Sequence, residues 1–264
     1  MFEIYGFTGI LAAIAQTLFL LTAFGVGGAL LTRASRSGDA HQRLLGWHLI
    51  LAVGVGYLLL SVAVATIELN IAMNDTLRGA FVCMGNLATG AGLWATLIFT
   101  RDVFRPGSPS ANAMVWVLSG TMAIGFGIYG MTGGFPTARY DNWGAAIMMA
   151  GILGANVWVS FEPLRYHVRM RRRLELGLAD PVVVDRFLLW GVGSASRLVL
   201  VIGGVGGALL VRNLEPAAAL AVSRVVLVGT SICGLLASIA YWLAFYPSPR
   251  YLRWVERRLG STRA

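Results

Sequence analysis

The sequence predicts an all-α integral membrane protein that folds as a bundle of seven transmembrane helices. Hydrophobic residues make up 57% and charged residues 12% of the 264 residues, whereas soluble domains carry about 25% charged residues. A helix needs about 20 mainly apolar residues to cross a bilayer, and the chain contains seven apolar stretches of roughly that length. A membrane β-barrel would instead show segments of about ten residues with alternating polarity, so the helical fold is favoured.

The predicted helices are separated by charged residues or by proline and glycine. They form one transmembrane domain, residues 1–246, and lie near residues 7–32, 44–68, 79–100, 113–134, 143–176, 181–211 and 218–246. Because the linkers are short, consecutive helices are expected to pack antiparallel.

The fifth and sixth helices are expected to project beyond the membrane as a hairpin. Residues 164–176 contain no helix breaker, Gly177 is a typical carboxyl-terminal cap, and Asp180 followed by Pro181 is typical of a helix start. Pro163 should kink the fifth helix because it removes a backbone donor. The hairpin is expected to contact anionic lipid headgroups or a cytoplasmic protein partner through Arg169, Arg171, Arg172 and Arg173. The alternative is an ordinary positively charged membrane anchor.

Residues 247–264 are predicted to form a cytoplasmic amphipathic tail. The stretch from Tyr246 to Pro249 interrupts the helical pattern, which resumes at residue 250. Tyr251, Trp254 and Val255 then share one face, and arginines occupy much of the rest. This pattern is typical of a short helix that lies in the membrane interface.

The distribution of basic residues predicts the orientation in the membrane. All 21 basic residues are arginine, and sixteen of them fall in the first, third and fifth loops and the tail. The opposite side holds three, Arg78, Arg139 and Arg212. Because positive charge is retained in the cytoplasm, we expect an outside amino terminus and a cytoplasmic carboxyl terminus, in the inner membrane of a bacterium. The net charge of +9 is thereby explained without nucleic-acid binding.

Polar residues recur on single faces of the predicted helices, at the spacings of four, seven and eleven that return to one side of a helix. Polar groups facing lipid would be unsatisfied, so these faces should turn inward. The sets are Tyr57, Ser61 and Glu68; Asn86; Asn156 and Ser160; Trp190, Ser194 and Arg197; and Arg224, Ser231 and Ser238.

Arg197 is the leading candidate for a ligand-binding residue. It lies halfway along the apolar run 187–211, with no carboxylate within ten residues, and an arginine at mid-membrane costs about 2.5 to 3.5 kcal/mol. Asn156 is expected at a similar depth, but an amide cannot neutralise a guanidinium. We therefore expect a small anionic or amphipathic ligand to be held by Arg197, Ser194, Trp190, Asn156, Tyr57 and Ser231. The alternative is that Arg197 bonds backbone carbonyls and water and holds the bundle together.

A second polar network is expected near the outer end of the bundle. Glu68 and Arg224 are predicted at compatible depths, so an ion pair between them is sterically reasonable, with Asn86 nearby.

The sequence offers little for catalysis or metal binding. His41, His48 and His167 have no second ligand at the spacing of three or four that metal-binding helices use. Cys83 and Cys233 are expected to be structural, and a pair of carboxylates for acid and base chemistry is missing. We expect no catalytic residue and no metal site, and an enzyme is the least favoured class.

The string from Arg139 to Trp143, Arg-Tyr-Asp-Asn-Trp, resembles part of the Arg-Tyr-x-Asp-Trp pattern in the third helix of the microbial rhodopsins. The resemblance covers five residues, which open the fifth predicted helix here. That family binds retinal through a lysine in its seventh helix, where this chain has Thr230, Ser231 and Cys233 and no lysine at all. Retinal is excluded, the chain is not assigned to the family, and no cofactor is expected.

These observations favour a receptor- or sensor-like protein that binds its ligand at Arg197 and signals through the arginine-rich hairpin. A small-molecule transporter or channel would use the same polar faces to line a path. A non-catalytic structural subunit of a membrane complex would use its glycine-rich surfaces to pack against other helices.

Overall fold

The computed structural model describes residues 2–68, 71–138, 140–212 and 214–260, and within these ranges every regular element is a helix. Seven helical segments in the described residues are long and apolar enough to cross a membrane. The helices are α1 (Phe2–Ser37), α2 (Ala40–His48), π1 (Leu49–Gly56), α3 (Tyr57–Glu68), α4 (Asp75–Phe104), α5 (Pro109–Met131), α6 (Gly134–Thr137), α7 (Trp143–Glu175), α8 (Pro181–Val211), α9 (Pro216–Phe245) and α10 (Pro249–Gly260).

Side-chain caps define where several helices begin. Asn74 accepts a hydrogen bond from the backbone N–H of Thr76, so α4 begins at Asp75, four residues before the predicted start. Asp39 accepts from the N–H groups of His41 and Gln42 and begins α2 in the same way. Such caps satisfy backbone donors that the first turn of a helix leaves without acceptors.

The second membrane-spanning segment is not a uniform α-helix. It runs through α2, π1 and α3 without a break, and the π-helical part covers eight residues. π-helical geometry is rare and is found frequently at functional sites.

The hairpin between α7 and α8 forms where the sequence predicts it. Gly177 has a φ of 73°, its N–H donates to the carbonyl of Leu174, and the N–H of Leu178 donates to the carbonyl of Arg173. The Asp180 carboxylate accepts from the N–H of Val182, and Pro181 occupies the first turn. The cap at Gly177 and the helix start at Asp180 are confirmed. Pro163 lies inside α7, and the predicted kink there stays a prediction.

The chain divides into two compact units. The first unit consists of Met1–Thr22 and Asn156–Ala264, and in it α8 packs along α9 and also contacts α10. The second unit is Ala23–Ala155, in which α4 is central and contacts α2, π1, α3, α5 and α6. Met1, Arg139 and residues 261–264, which include Arg263, lie outside the described residues.

Candidate ligand-binding site

Arg197 and Asn156 form a buried hydrogen bond between two helices of the first unit. The Arg197 guanidinium on α8 donates from Nη2 to Oδ1 of Asn156 on α7, at 2.6 Å. Arg197 is 6% exposed and Asn156 is 2% exposed. The predicted proximity of these two residues is therefore found, and a positive charge sits in the interior of this unit.

The aromatic residue Tyr241 extends this site to a third helix. Its hydroxyl on α9 lies 3.3 Å from Ser194 Oγ on α8. Gly193 permits this approach, because a Cβ there would meet the Tyr241 ring at 2.9 Å. Sequence reasoning missed Tyr241, although it lies three residues after Ser238 and so continues the polar face of the seventh predicted helix.

Trp190 lies on α8 one turn before Ser194. Its side chain is buried, and its ring packs edge to face against Phe245 at a centroid distance of 6.1 Å. Such aromatic pairs are favourable beyond the area they bury. The first unit therefore holds one buried guanidinium bonded to an amide, and buried aromatic rings on α8 and α9.

Three serines of the predicted polar faces donate within their own helices. Ser231 Oγ donates to the carbonyl of Leu227, and Ser238 Oγ to the carbonyl of Gly234. Ser160 Oγ donates to the carbonyl of Asn156. Their lone pairs can still accept a hydrogen bond, but their donor capacity is used locally.

Tyr57 and Asn86 belong to the second unit, so the predicted contact of Tyr57 with the ligand at Arg197 stays a prediction. Tyr57 interacts with Ser61 one turn further along. In the same unit, Asn86 Nδ2 donates to the carbonyl of Val82 at 2.8 Å and to the Tyr140 hydroxyl at 3.3 Å.

The predicted ion pair between Glu68 and Arg224 stays a prediction. The side chain of Glu68 lies outside the described residues, and Arg224 is an exposed residue of α9.

The four arginines predicted to contact lipid or a partner all lie on the exposed surface of α7. Next to the turn of this hairpin is a cleft of about 310 Å³. Residues of α7, α8 and α10 line it, among them His167, Arg171, Leu174, Asp185, Leu188 and Trp254.

Polar contacts within the cleft connect its helices. His167 Nδ1 donates to the carbonyl of Val184 at 2.9 Å, and the Tyr251 hydroxyl donates to Asp185 Oδ2 at 2.8 Å. Arg258 lies over the Trp254 ring at 5.0 Å from its centroid. Burial raises the pKa of Tyr251, and the hydrogen bond to Asp185 and the charge of that carboxylate raise it further.

Among the residues that the structure describes, no group of three or more His, Cys, Asp or Glu side chains is placed to hold a metal ion. The two cysteines, Cys83 and Cys233, are not joined in a disulfide.

The described helices define the class of this chain as a multi-pass membrane protein. No protein-family model, curated protein or solved structure matches the chain.

Proposed function

We propose that this chain is a receptor- or sensor-like membrane protein that binds a small anionic or amphipathic ligand inside its first unit. The observation that supports this function most directly is the hydrogen bond between Arg197 and Asn156. It places a buried guanidinium at the junction of α7 and α8, and these two helices continue into the arginine-rich hairpin.

The chemistry of the site favours an anion with an apolar part. A guanidinium presents a planar set of N–H donors that matches carboxylate and phosphate groups. The neighbouring rings of Trp190 and Tyr241 are buried and would contact an apolar chain. A carboxylate or phosphate head would bind Arg197, while Ser194 would contribute a further hydroxyl.

The signal arises because the bound anion and Asn156 compete for the guanidinium of Arg197. A bound anion would take N–H groups that now bond to Asn156, and so weaken a link between α7 and α8. From Asn156 to the end of α7 at Glu175 is about 28 Å of helix, so a small change of angle at the site moves the hairpin. A ligand shifts such an equilibrium by its difference in affinity for the two arrangements.

The hairpin would carry the signal to a partner outside the membrane. Its exposed arginines suit a cytoplasmic protein with an acidic surface or the anionic headgroups of membrane lipids. We place the protein in the inner membrane of a bacterium with a cytoplasmic carboxyl terminus, because sixteen arginines fall on that side.

The test uses four amphiphiles that share a dodecyl chain and differ in the head: dodecanoate, dodecyl phosphate, dodecanol and dodecyltrimethylammonium. Binding is measured by calorimetry on the protein in phosphatidylcholine nanodiscs, with protein-free discs subtracted. The two anionic amphiphiles should bind at least tenfold more tightly than the neutral one, a difference of about 1.4 kcal/mol. They should also change hydrogen exchange in residues 164–185.

Two variants locate the binding. Arg197→Gln should lose the preference for the anionic heads, whereas Arg224→Gln removes an exposed arginine from α9 and should keep it. Equal preference in the wild type and in Arg197→Gln would contradict the proposal.

One observation favours a structural subunit as the second candidate. Ser231, Ser238 and Ser160 use their hydroxyl donors within their own helices, as expected of a filled core. In that case none of the four amphiphiles binds with a charge preference, and a stoichiometric membrane partner co-purifies. A transporter would instead take dodecanoate into liposomes, and Arg197→Ala would abolish the uptake.

A further inference from the structure

The central helix of the second unit, α4, carries a row of polar residues on one face. The row consists of Asn86, Thr89, Thr96 and Thr100. Successive members are three, seven and four residues apart, and these spacings keep them on one side of an α-helix. Thr96 and Thr100 are both 0% exposed, and Asn86 is 5% exposed. We call these four residues the α4 polar row.

The hydroxyl groups of the α4 polar row have no hydrogen-bond partner within the described part of the chain. This holds for the Oγ1 atoms of Thr89, Thr96 and Thr100, and Oδ1 of Asn86 also accepts no bond there. Threonines in other helices behave differently, since Thr66 Oγ1 donates to the carbonyl of Ala63 and Thr121 Oγ1 donates to that of Val117. The row therefore holds several buried polar atoms that require partners.

The π-helix π1 approaches the same region of α4. A Cβ at Gly92 would meet the backbone of Ala52, so the two helices are in close contact there. Next to this contact, His48 is buried and its Nδ1 donates to the carbonyl of Gly92 at 2.9 Å. Thr96 follows Gly92 by one helical turn, which places this hydroxyl near the junction of α2 and π1.

We propose that the α4 polar row binds internal water molecules. Each threonine hydroxyl can donate one hydrogen bond and accept others, and the Asn86 amide oxygen accepts. A buried water needs two to four such partners, which this row supplies along about 21 Å of helix. The site uses none of the residues around Arg197 and so goes beyond the function proposed above.

The waters form two groups, because Leu93 interrupts the row. Leu93 lies on the same face between Thr89 and Thr96 and is 1% exposed. One group of waters bonds to Asn86 and Thr89, and the other bonds to Thr96 and Thr100. Water beside π1 can also donate to its backbone carbonyls, and water that inserts into a helical hydrogen-bond ladder is one cause of a local distortion.

The experiment is radiolytic footprinting of the full chain in nanodiscs, in which X-rays convert water to hydroxyl radicals that modify adjacent side chains. In the wild type, Leu93 and His48 should be modified well above the level expected from their burial. The double variant Thr96→Val with Thr100→Val keeps the side-chain volume and should lower the modification of His48 at least threefold. Thr66→Val is the matched control, since this buried hydroxyl already has an acceptor, and it should leave the labelling unchanged.

Two results would overturn the proposal. One is wild-type labelling of Leu93 and His48 at background level, a measurement that needs no variant. The other is a melting temperature of the double variant above that of the wild type, because removing unsatisfied hydroxyls from a dry interior is stabilising. A hydrated row predicts an equal or lower melting temperature.

Discussion

The Tyr251 hydroxyl donates a hydrogen bond of 2.8 Å to Asp185 Oδ2, and this contact joins α10 to the first turns of α8. Val255, one turn after Tyr251, is buried, so α10 rests on the protein as well as presenting an arginine-rich surface. Arg258 covers the ring of Trp254 from the same helix. Any motion of the hairpin must therefore carry α10 with it or break this contact.

Tyr251→Phe is expected to loosen α10. The substitution keeps the ring and removes only the hydroxyl, which leaves a half-buried Asp185 carboxylate without that donor. Hydrogen bonds to charged groups contribute about 1.5 to 3 kcal/mol, so hydrogen exchange in residues 249–258 should accelerate about tenfold or more. Arg253→Gln, an exposed change in the same helix, should leave exchange unaltered. Equal exchange in Tyr251→Phe and the wild type would show that other contacts hold α10.

The same contact should respond to alkaline pH. Burial and then the bond and charge of Asp185 raise the pKa of Tyr251, so the folded chain holds the phenol proton more firmly than the unfolded chain, where tyrosine titrates near about pH 10. The stabilisation is fully present below about pH 10 and is lost as the pH rises through the raised pKa. Subtracting the tyrosinate absorbance of Tyr251→Phe from that of the wild type should isolate a step above pH 10. A step at or below pH 10 would contradict this.

Features determined by neighbouring residues could be predicted from the sequence. The cap at Gly177 and the start at Asp180 depend on glycine at positive φ and on a carboxylate next to proline, so local chemistry suffices. The seven spans depend only on length and apolar composition, and these are visible in the sequence.

Features that depend on tertiary contacts could not be predicted from the sequence. The stretch Leu49–Gly56 is uniformly apolar, and nothing in its spacing distinguishes a π-helix from an α-helix. Tyr241 enters the site because Gly193 on another helix leaves room for its ring. Asn86 donates to the Tyr140 hydroxyl, a contact that its position in the sequence does not indicate, since helical periodicity gives a direction but no neighbour.

Packing between α5 and the first part of α7 in the second unit should be sensitive to Gly125. A Cβ at this position would lie closer to the backbone of Met148 than van der Waals contact allows. Moving a helix backbone aside costs more free energy than rotating a side chain. Gly125→Ala should therefore destabilise the fold by about 1 to 3 kcal/mol, as overpacking does. Gly127 lies on the same helix with nothing near its Cβ direction.

Gly127→Ala is the matched control, because alanine is the better helix former by up to about 1 kcal/mol. It should leave the melting temperature in nanodiscs equal or higher, while Gly125→Ala lowers it. Equal melting temperatures for the two variants would mean that α5 and α7 can separate at no cost.

Asn156→Asp tests whether the charge of Arg197 is what attracts an anion. The variant places a carboxylate at the position that now accepts from Arg197 Nη2 at 2.6 Å, and a charge-assisted bond is about twice as strong as a neutral one. An internal carboxylate would then compete with a bound anion for the guanidinium. Dodecanoate should bind at least tenfold more weakly than to the wild type, a loss of about 1.4 kcal/mol, while dodecanol is unaffected.

Ser160→Ala is the matched change for this experiment. Ser160 is buried one turn further along α7 and donates to the carbonyl of Asn156, so the variant perturbs the same helix without adding charge. It should bind dodecanoate as the wild type does. If Asn156→Asp binds dodecanoate with wild-type affinity and melts at or above the wild-type temperature, the carboxylate and the anion do not share Arg197, and the ligand must bind elsewhere in the chain.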